Sequence, residues 1–346
     1  MTAPLPNPNL PLSGVSVVIP CYNYAHFLPG AIDSVLRQAY APLEIIVVDD
    51  GSTDRTREVV AAFGRQVRYL YKPNAGLSAA RNTGIAAARF PFVAFLDADD
   101  DWLPGMLKKI MEAFAELPAE FALVACRCVS VDSAGHLLEL KQLDHNYPRE
   151  ITVKDMLLKT RFQPSGAVAR RSVFETCGEF DDTLRSSEDR DMWIRIATCR
   201  RVYLLGEPLI RFRNHPNSMS KHADRMKENI GRVLAKARRS PDLSALSVQF
   251  WCQAHSFFDY QTAWMYRDEG RHRQAFLSLL SSWRRFPFFW APHELNENYF
   301  FRLRSCLQFF WEVIRGRAPH EEKAAMPPTT LAGITEKPVN RPELPH

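Results

Sequence analysis

Apolar residues in the first hundred positions fall into two alternating rhythms. Strand-length runs rich in Val, Ile, Leu and aromatic residues recur at Val15–Ile19, Glu44–Val48, Val67–Tyr71 and Phe92–Leu96. Between them the spacing lengthens to three and four. Leu28, Ile32, Val35 and Leu36 share one helical face, Val59, Val60 and Phe63 share another, and Leu77–Arg89 is Ala-rich and helical. Thr53 or Asp54 is placed to cap the second of these helices. Strands that alternate with helices predict an α/β fold with a parallel, doubly wound sheet. Ligands of such sheets bind beyond the carboxyl ends of the strands. There the chain places its polar turns: Ile19 leads into PCYN, Val48 into DDGSTD and Leu96 into DADDD. One such turn is ordinary, but three on one rim predict a site.

The last turn raises a physical problem. FLDADDDW, Phe95–Trp102, holds four aspartates in five positions. Two bare carboxylates about 4 Å apart repel by on the order of 4 kcal/mol at an effective dielectric of 20. A solvated turn, a partly protonated acid pair and a shared cation would each relieve this. A helix over Leu103–Leu117 would take Asp100 or Asp101 as its cap and Pro104 in its first turn. A cap uses one or two carboxylates, not four. A calcium loop of the EF-hand type lacks its Gly and its closing Glu here. A phosphatase of the haloacid dehalogenase type, with Asp97 as nucleophile, would carry Thr or Val where this chain has Asp100. Asp97 and Asp99 are spaced to share a divalent cation that also carries phosphate oxygens.

Four stretches in order, VSVVIPCYNYAHFLPGAIDSVLRQ, EIIVVDDGSTDRT, KPNAGLSAARNTGI and FVAFLDADDDWLPGML, resemble family 2 glycosyltransferases of the GT-A fold. The resemblance covers roughly Val15 to Ser220, and ARFPF departs from it where the family often has a Gly before the fourth strand. It implies a Rossmann-like, mainly parallel sheet flanked by helices, with a C-terminal helical extension. It also implies an inverting, metal-dependent transferase that moves a sugar from a nucleotide-diphosphate donor, a UDP-sugar in the first instance. The acceptor would be a hydroxyl of a glycan or lipid-linked molecule, in cell-surface polysaccharide synthesis.

By the same resemblance, Pro20 and Tyr22 line the nucleobase pocket, Asp50 bonds the base, and Asn74 and Arg81 hold the donor. Asp99 is the first ligand to Mn2+ or Mg2+, Asp97 meets the ribose or the metal, and His215 is a further metal or diphosphate contact. Ser218 and Ser220 would help close a loop over the donor. Asp189, in SEDRDMW, matches the catalytic base of inverting members. Each assignment has a structural rival. Asp49 and Asp50 fit a strand-end turn before Gly51, Arg81 fits an exposed helix charge, and Ser187 fits an N-cap with Glu188 and Asp191 facing the dipole. A functional rival is a non-catalytic sugar-nucleotide-binding scaffold, which would need neither Asp99 nor Asp189.

Bulk composition narrows the setting. The 46% hydrophobic content supports a sizeable core, and a net charge of +5 over 346 residues gives no reason to expect nucleic acid. Seven scattered cysteines without a CxxC pair predict core thiols in a reducing cytosol. MTAPLPNPNLPLSG has neither a basic nor an apolar signal-peptide region, and no apolar run is long enough to span a bilayer. A soluble, cytoplasmic protein is expected.

The expected organisation is an N-terminal segment over 1–13, a catalytic domain over 14–222 with its donor half at 14–104 and acceptor half at 105–222, helices over 223–317, and a disordered Pro-rich tail over 318–346. In the acceptor half, FALVACRCVSV, ITVKDMLLK and GAVARRSVF predict strand, helix and strand, with no legible acceptor code. The helical region predicts a hairpin turning at Gly270, packed on the catalytic domain. From Ala223 to Arg317 it carries fifteen Lys and Arg against nine Asp and Glu. Phe300, Leu303, Leu307, Phe310, Trp311 and Ile314 form a stripe beside Arg302, Arg304 and Arg315. An aromatic stripe is ordinarily core. Its rival, supported by WRRFPFFW at Trp283–Trp290, is peripheral contact with anionic lipid at the inner face of a membrane.

Overall fold

The computed structural model describes residues 14–139, 149–215, 221–290 and 299–315. Its first part follows the predicted alternation: β1 (Val15–Cys21), α1 (Leu28–Leu36), β2 (Leu43–Asp49), α2 (Thr56–Ala61), β3 (Val67–Tyr71), α3 (Leu77–Ala87) and β4 (Phe92–Phe95). Every residue of β1 is buried, because helices cover both faces of the sheet. The period of two divides those residues between two cores. Val18, Ile46 and Val48 pack on the side of α3 with Ala80 and Ile85, whereas Val17, Ile19, Ile45 and Val47 meet Ile32 and Val35 of α1.

The strands run in the order β3-β2-β1-β4, all parallel. From β1 the chain moves to β2 on one side and later returns as β4 on the other. The crevice therefore opens at the carboxyl ends of β1 and β4. Beyond β4 come β5 (Asp101–Trp102), α4 (Met106–Glu116), β6 (Phe121–Val131), β7 (Leu137–Glu139), β8 (Arg149–Ile151), α5 (Val153–Leu158), β9 (Ala167–Arg170), α6 (Ser172–Cys177), α7 (Glu188–Cys199) and β10 (Arg201–Arg213). Here the sheet is mixed. β9 runs antiparallel to both β4 and β6, while β6 and β10 are parallel. The fully parallel arrangement thus belongs to β1–β4.

Helix ends correct three local expectations. Leu103 and Pro104 precede α4, whose N-cap is Gly105 in the left-handed region with no side-chain cap. Asp100 and Asp101 are consequently not caps. The N-cap of α2 is Arg55, without a side-chain cap bond; Asp54 accepts the Thr56 N–H at 3.0 Å, and the Thr53 side chain bonds Asn23 instead. Ser187 precedes α7 with φ +60° and makes no capping bond.

Four helices complete the described chain: α8 (Ala223–Arg239), α9 (Val248–Asp268), α10 (His272–Arg285) and α11 (Phe301–Arg315). Ile230, Val233 and Leu234 of α8, with Trp251 and Phe258 of α9, join the core that contains Trp193 of α7. α9 and α10 turn about Gly270, at φ +75°. α11 lays Phe301 on Tyr260, with ring centroids 4.7 Å apart, and Phe309 on Trp264 at 5.2 Å. The aromatic stripe is therefore not core. Phe300, Leu303, Leu307, Phe310, Trp311 and Ile314 are 41–60% exposed, because the row Phe301–Ser305–Phe309 takes the inward face. The expected tail and N-terminal segment, with Ser218, Ser220 and Arg317, lie outside the described residues. No helix among the described residues is long and apolar enough to cross a membrane.

Gly84 lets α3 approach β1 closely. A Cβ there would lie 2.2 Å from a methyl of the buried Val18, and a β-branched side chain has few rotamers with which to yield. Gly84→Ala is expected to cost about 1–3 kcal/mol by overpacking, measured as a lower midpoint in urea unfolding.

Candidate active site

The polar turns meet at the carboxyl rim. Pro20 is buried within β1, pairing with Val48, and Tyr22 beyond it is 49% exposed. Asn23 follows at φ +59°. Its N–H reaches Ser52 Oγ at 2.9 Å, and its Oδ1 accepts the Thr53 N–H at 2.8 Å. The first two turns are thereby laced together.

Asp49 and Asp50 are both buried. Asp49 accepts the Ser52 N–H and the Tyr69 hydroxyl. Asp50 accepts Lys72 Nζ at 2.6 Å and the N–H groups of Ala75 and Gly76 at 3.1 and 2.8 Å. Asp50 thus shapes the turn between β3 and α3, and Asn74 is an exposed member of that turn. Gly51 is required where these turns touch. It adopts φ +81°, and a Cβ would lie 2.7 Å from the Asn74 nitrogen.

Arg81 is 1% exposed, which removes the reading of a surface charge. Its Nη2 donates to Asp97 Oδ1 at 2.7 Å and its Nη1 to Glu188 Oε1 at 2.6 Å. Phe180 lies beneath the guanidinium, 5.5 Å from its carbon to the ring centroid. Burial alone would disfavour the charge, but the two carboxylates outweigh it and raise the pKa. One side chain of α3 therefore joins the aspartates after β4 to the acidic start of α7.

The aspartates of DADDD separate into different tasks. Asp97 and Asp99 are partly open to the crevice, whereas Asp100 is buried. Asp100 accepts the Ser165 hydroxyl and the Arg213 N–H, and Arg213 also pairs with Asp101 at 2.9 Å. Asp99 receives His215 Nε2 at 2.9 Å, and His215 packs edge-on to Tyr24. Burial, and then the neighbouring Asp97, pushes the Asp99 carboxyl up. Asp100 is pushed up further, by burial and then by Asp99 and Asp97. The crevice is short of positive charge.

Asp189 sits in the first turn of α7 beside Glu188. Burial, and then Glu188, raises its pKa to about 7, with Arg81 opposing. Asp191 turns away to Arg195 and Lys236.

Asp97 and Asp99 offer the hard oxygen donors that Mn2+ and Mg2+ take, and His215 adds an imidazole. Among the described residues no three such side chains stand close enough together to hold a cation as they are. The mutual repulsion of Asp97 and Asp99 is nevertheless the charge imbalance that a divalent ion would relieve, and on that chemistry the residues fit.

The site contains partners that sequence reasoning did not single out. Lys72, Tyr24 and Arg213 stand in or beside the quoted motifs, so their polar or basic character was a usable signal. Ser165 carried none. It is completely buried, bonds Asp100 and the Asp97 N–H, and through its carbonyl accepts Trp102 Nε1 at 2.6 Å.

Removing Arg81 would leave Glu188 and Asp97 uncompensated. Arg81→Met is expected to cost about 3–5 kcal/mol. Adding Glu188→Gln should recover part of that loss, read as non-additivity in urea unfolding.

Residues 16–178 match the family model described as Glycosyl transferase family 2. An uncharacterized glycosyltransferase of Rickettsia prowazekii is 32% identical over 203 residues, which span 58% of this chain and 64% of the relative. The uncharacterized glycosyltransferase EpsJ of Bacillus subtilis is 33% identical over 219 residues, 60% of this chain and 62% of the relative. The chain thus spans less than two thirds of either. Among solved structures, Staphylococcus aureus TarS in complex with UDP-GlcNAc superposes with a TM-score of 0.52 at 17% identity, covering 78% of this chain and 89% of that one. A mannosyltransferase of Pyrobaculum calidifontis, in complex with GDP-Man and Mn2+, gives 0.56 at 17% identity, covering 89% and 83%. Over residues 16–178 the chain is thus similar to glycosyltransferase family 2, and its fold is that of these solved transferases.

Proposed function

We propose that the protein is an inverting, metal-dependent glycosyltransferase acting on a nucleotide-diphosphate sugar. Its acceptor would be a hydroxyl of a glycan or lipid-linked molecule, of the kind consumed in building cell-surface polysaccharide. The observation that supports this reading best is the Arg81 bridge, which holds Asp97 and the Glu188–Asp189 segment around one crevice. A donor held at the carboxyl edge of β1 and β4 would meet Pro20 and Tyr22 with its base. The loop shaped by Asp50, with Asn74 at its surface, would border the nucleotide.

Asp99, with Asp97 and His215, would hold the cation, which supplies neutralisation of the charge that builds on the departing diphosphate. Asp189 takes the proton of the acceptor hydroxyl as its oxygen bonds to the anomeric carbon. The bond from that carbon to the diphosphate oxygen breaks, and its electron pair leaves with the diphosphate. A single displacement from the opposite face inverts the carbon. A group poised near neutrality suits this role, because it is a stronger base than an ordinary aspartate yet is substantially ionised at working pH. A sugar-nucleotide-binding scaffold would have no use for such a base.

Two measurements test the proposal. Asp189→Asn should lower turnover by about 10²–10⁴-fold while donor affinity is kept. Because Asp189 acts as the carboxylate, wild-type kcat/KM should fall as pH drops through about 7. Unchanged turnover in the variant would exclude Asp189 as the base, and unchanged cellular function would favour the scaffold. Separately, thermal unfolding with UDP, GDP and their sugars should identify the base. A donor at about 100 times its Kd stabilises by about 2.7 kcal/mol, and the manganese-dependent part of that gain should vanish in Asp99→Ala.

A further inference from the structure

The exposed stripe of α11 does not stand alone. Phe310 lies 6.2 Å from Phe276 of α10, and Trp311 is a further 6.3 Å along. On α10, Leu280 and Trp283 follow Phe276 at helical spacing, and Leu277 and Leu280 are 63% and 46% exposed. Trp283 meets Phe289 at 5.5 Å, which meets Phe300 at 5.4 Å. One apolar surface therefore runs across both helices, with Phe289 between Trp283 and Phe300. Surfaces of this kind on soluble domains mark interaction sites.

Among the described residues the charge around it is predominantly positive. Arg273, Arg284 and Arg304 are exposed on the same two helices and form no ion pair among the described residues. From Arg271 onward Glu312 is the single acid among the described residues, and Arg267 pairs with it at 3.0 Å.

We propose that the joined outer faces of α10 and α11 seat the protein on an anionic lipid bilayer. Phe300, Leu307, Phe310, Trp311 and Leu280 enter the headgroup boundary, while Arg273, Arg284 and Arg304 reach the lipid phosphates. Charge complementarity selects this occupant. A second copy on the same face would bring arginines against arginines. The tail beyond 315 offers six prolines, no aromatic residue and five scattered large aliphatics, too little to cover such a surface. The inference does not rest on the transferase reading, since lipid contact is measured without substrate.

Co-sedimentation of the full chain with vesicles tests it. The protein should pellet with phosphatidylcholine vesicles that contain phosphatidylglycerol, not with phosphatidylcholine alone, and salt should weaken the binding. Each arginine near an anionic surface is worth roughly fivefold, so Arg273→Gln, Arg284→Gln and Arg304→Gln together should weaken binding by on the order of a hundredfold. Leu307→Ser with Trp311→Ser should release the protein while its unfolding midpoint stays near wild type. Light scattering without lipid checks for a dimer. Absence of pelleting, pelleting indifferent to both sets of substitutions, or a dimer that Trp311→Ser dissolves would each overturn the proposal.

Discussion

The buried guanidinium of Arg81 is the constraint around which the site is organised. A charge at 1% exposure is tolerable only where geometry compensates it closely. Its two partners come from 16 and 107 residues further along the chain. α3, the end of β4 and the start of α7 must therefore assemble together or not at all. The Arg81 bridge also spaces the two acidic motifs, because Asp97 and Glu188 occupy different ends of one planar group.

Around that bridge the chain keeps more negative charge than it cancels. Burial and the neighbouring Asp97 raise the cost of ionising Asp99, burial with both neighbours raises that of Asp100, and Arg213, His215 and Ser165 only partly offset it. Such an arrangement costs stability. The backbone carries strain at the same place. Asn23 and Ser187, at φ +59° and +60°, adopt the left-handed region without being glycine, one beside the first turn and one directly before Glu188.

The two halves of the sheet suit different tasks. Four parallel strands, covered on both faces, form a rigid base from which three loops emerge at one edge. The mixed half, from β9 to β10, supplies Ser165, Arg213 and His215 to that edge from positions distant in sequence. α8 and α9 share the core of Trp193, so the helical region buttresses α7 and the position of Asp189. α10 and α11, further out, leave their apolar rows to the exterior.

Residue spacing by itself determined the alternation of strand and helix, the rim where the loops gather and the residues of the acidic turns. These features depend on the periods of two and 3.6, which chain geometry imposes locally. Tertiary structure decided which faces meet. Nothing near Arg81 in sequence says that it is buried, since Glu188 lies on another helix. Gly105, rather than an aspartate, starts α4, because the aspartates are drawn to Ser165 and Arg213. α11 has two candidate faces, and local pattern favours the more apolar one as core. The fold instead buries Phe301, Arg302, Ser305 and Phe309, because the partners available from α9 and α10 fit that row. Burial is a property of the assembled surface, so no local pattern could have assigned it.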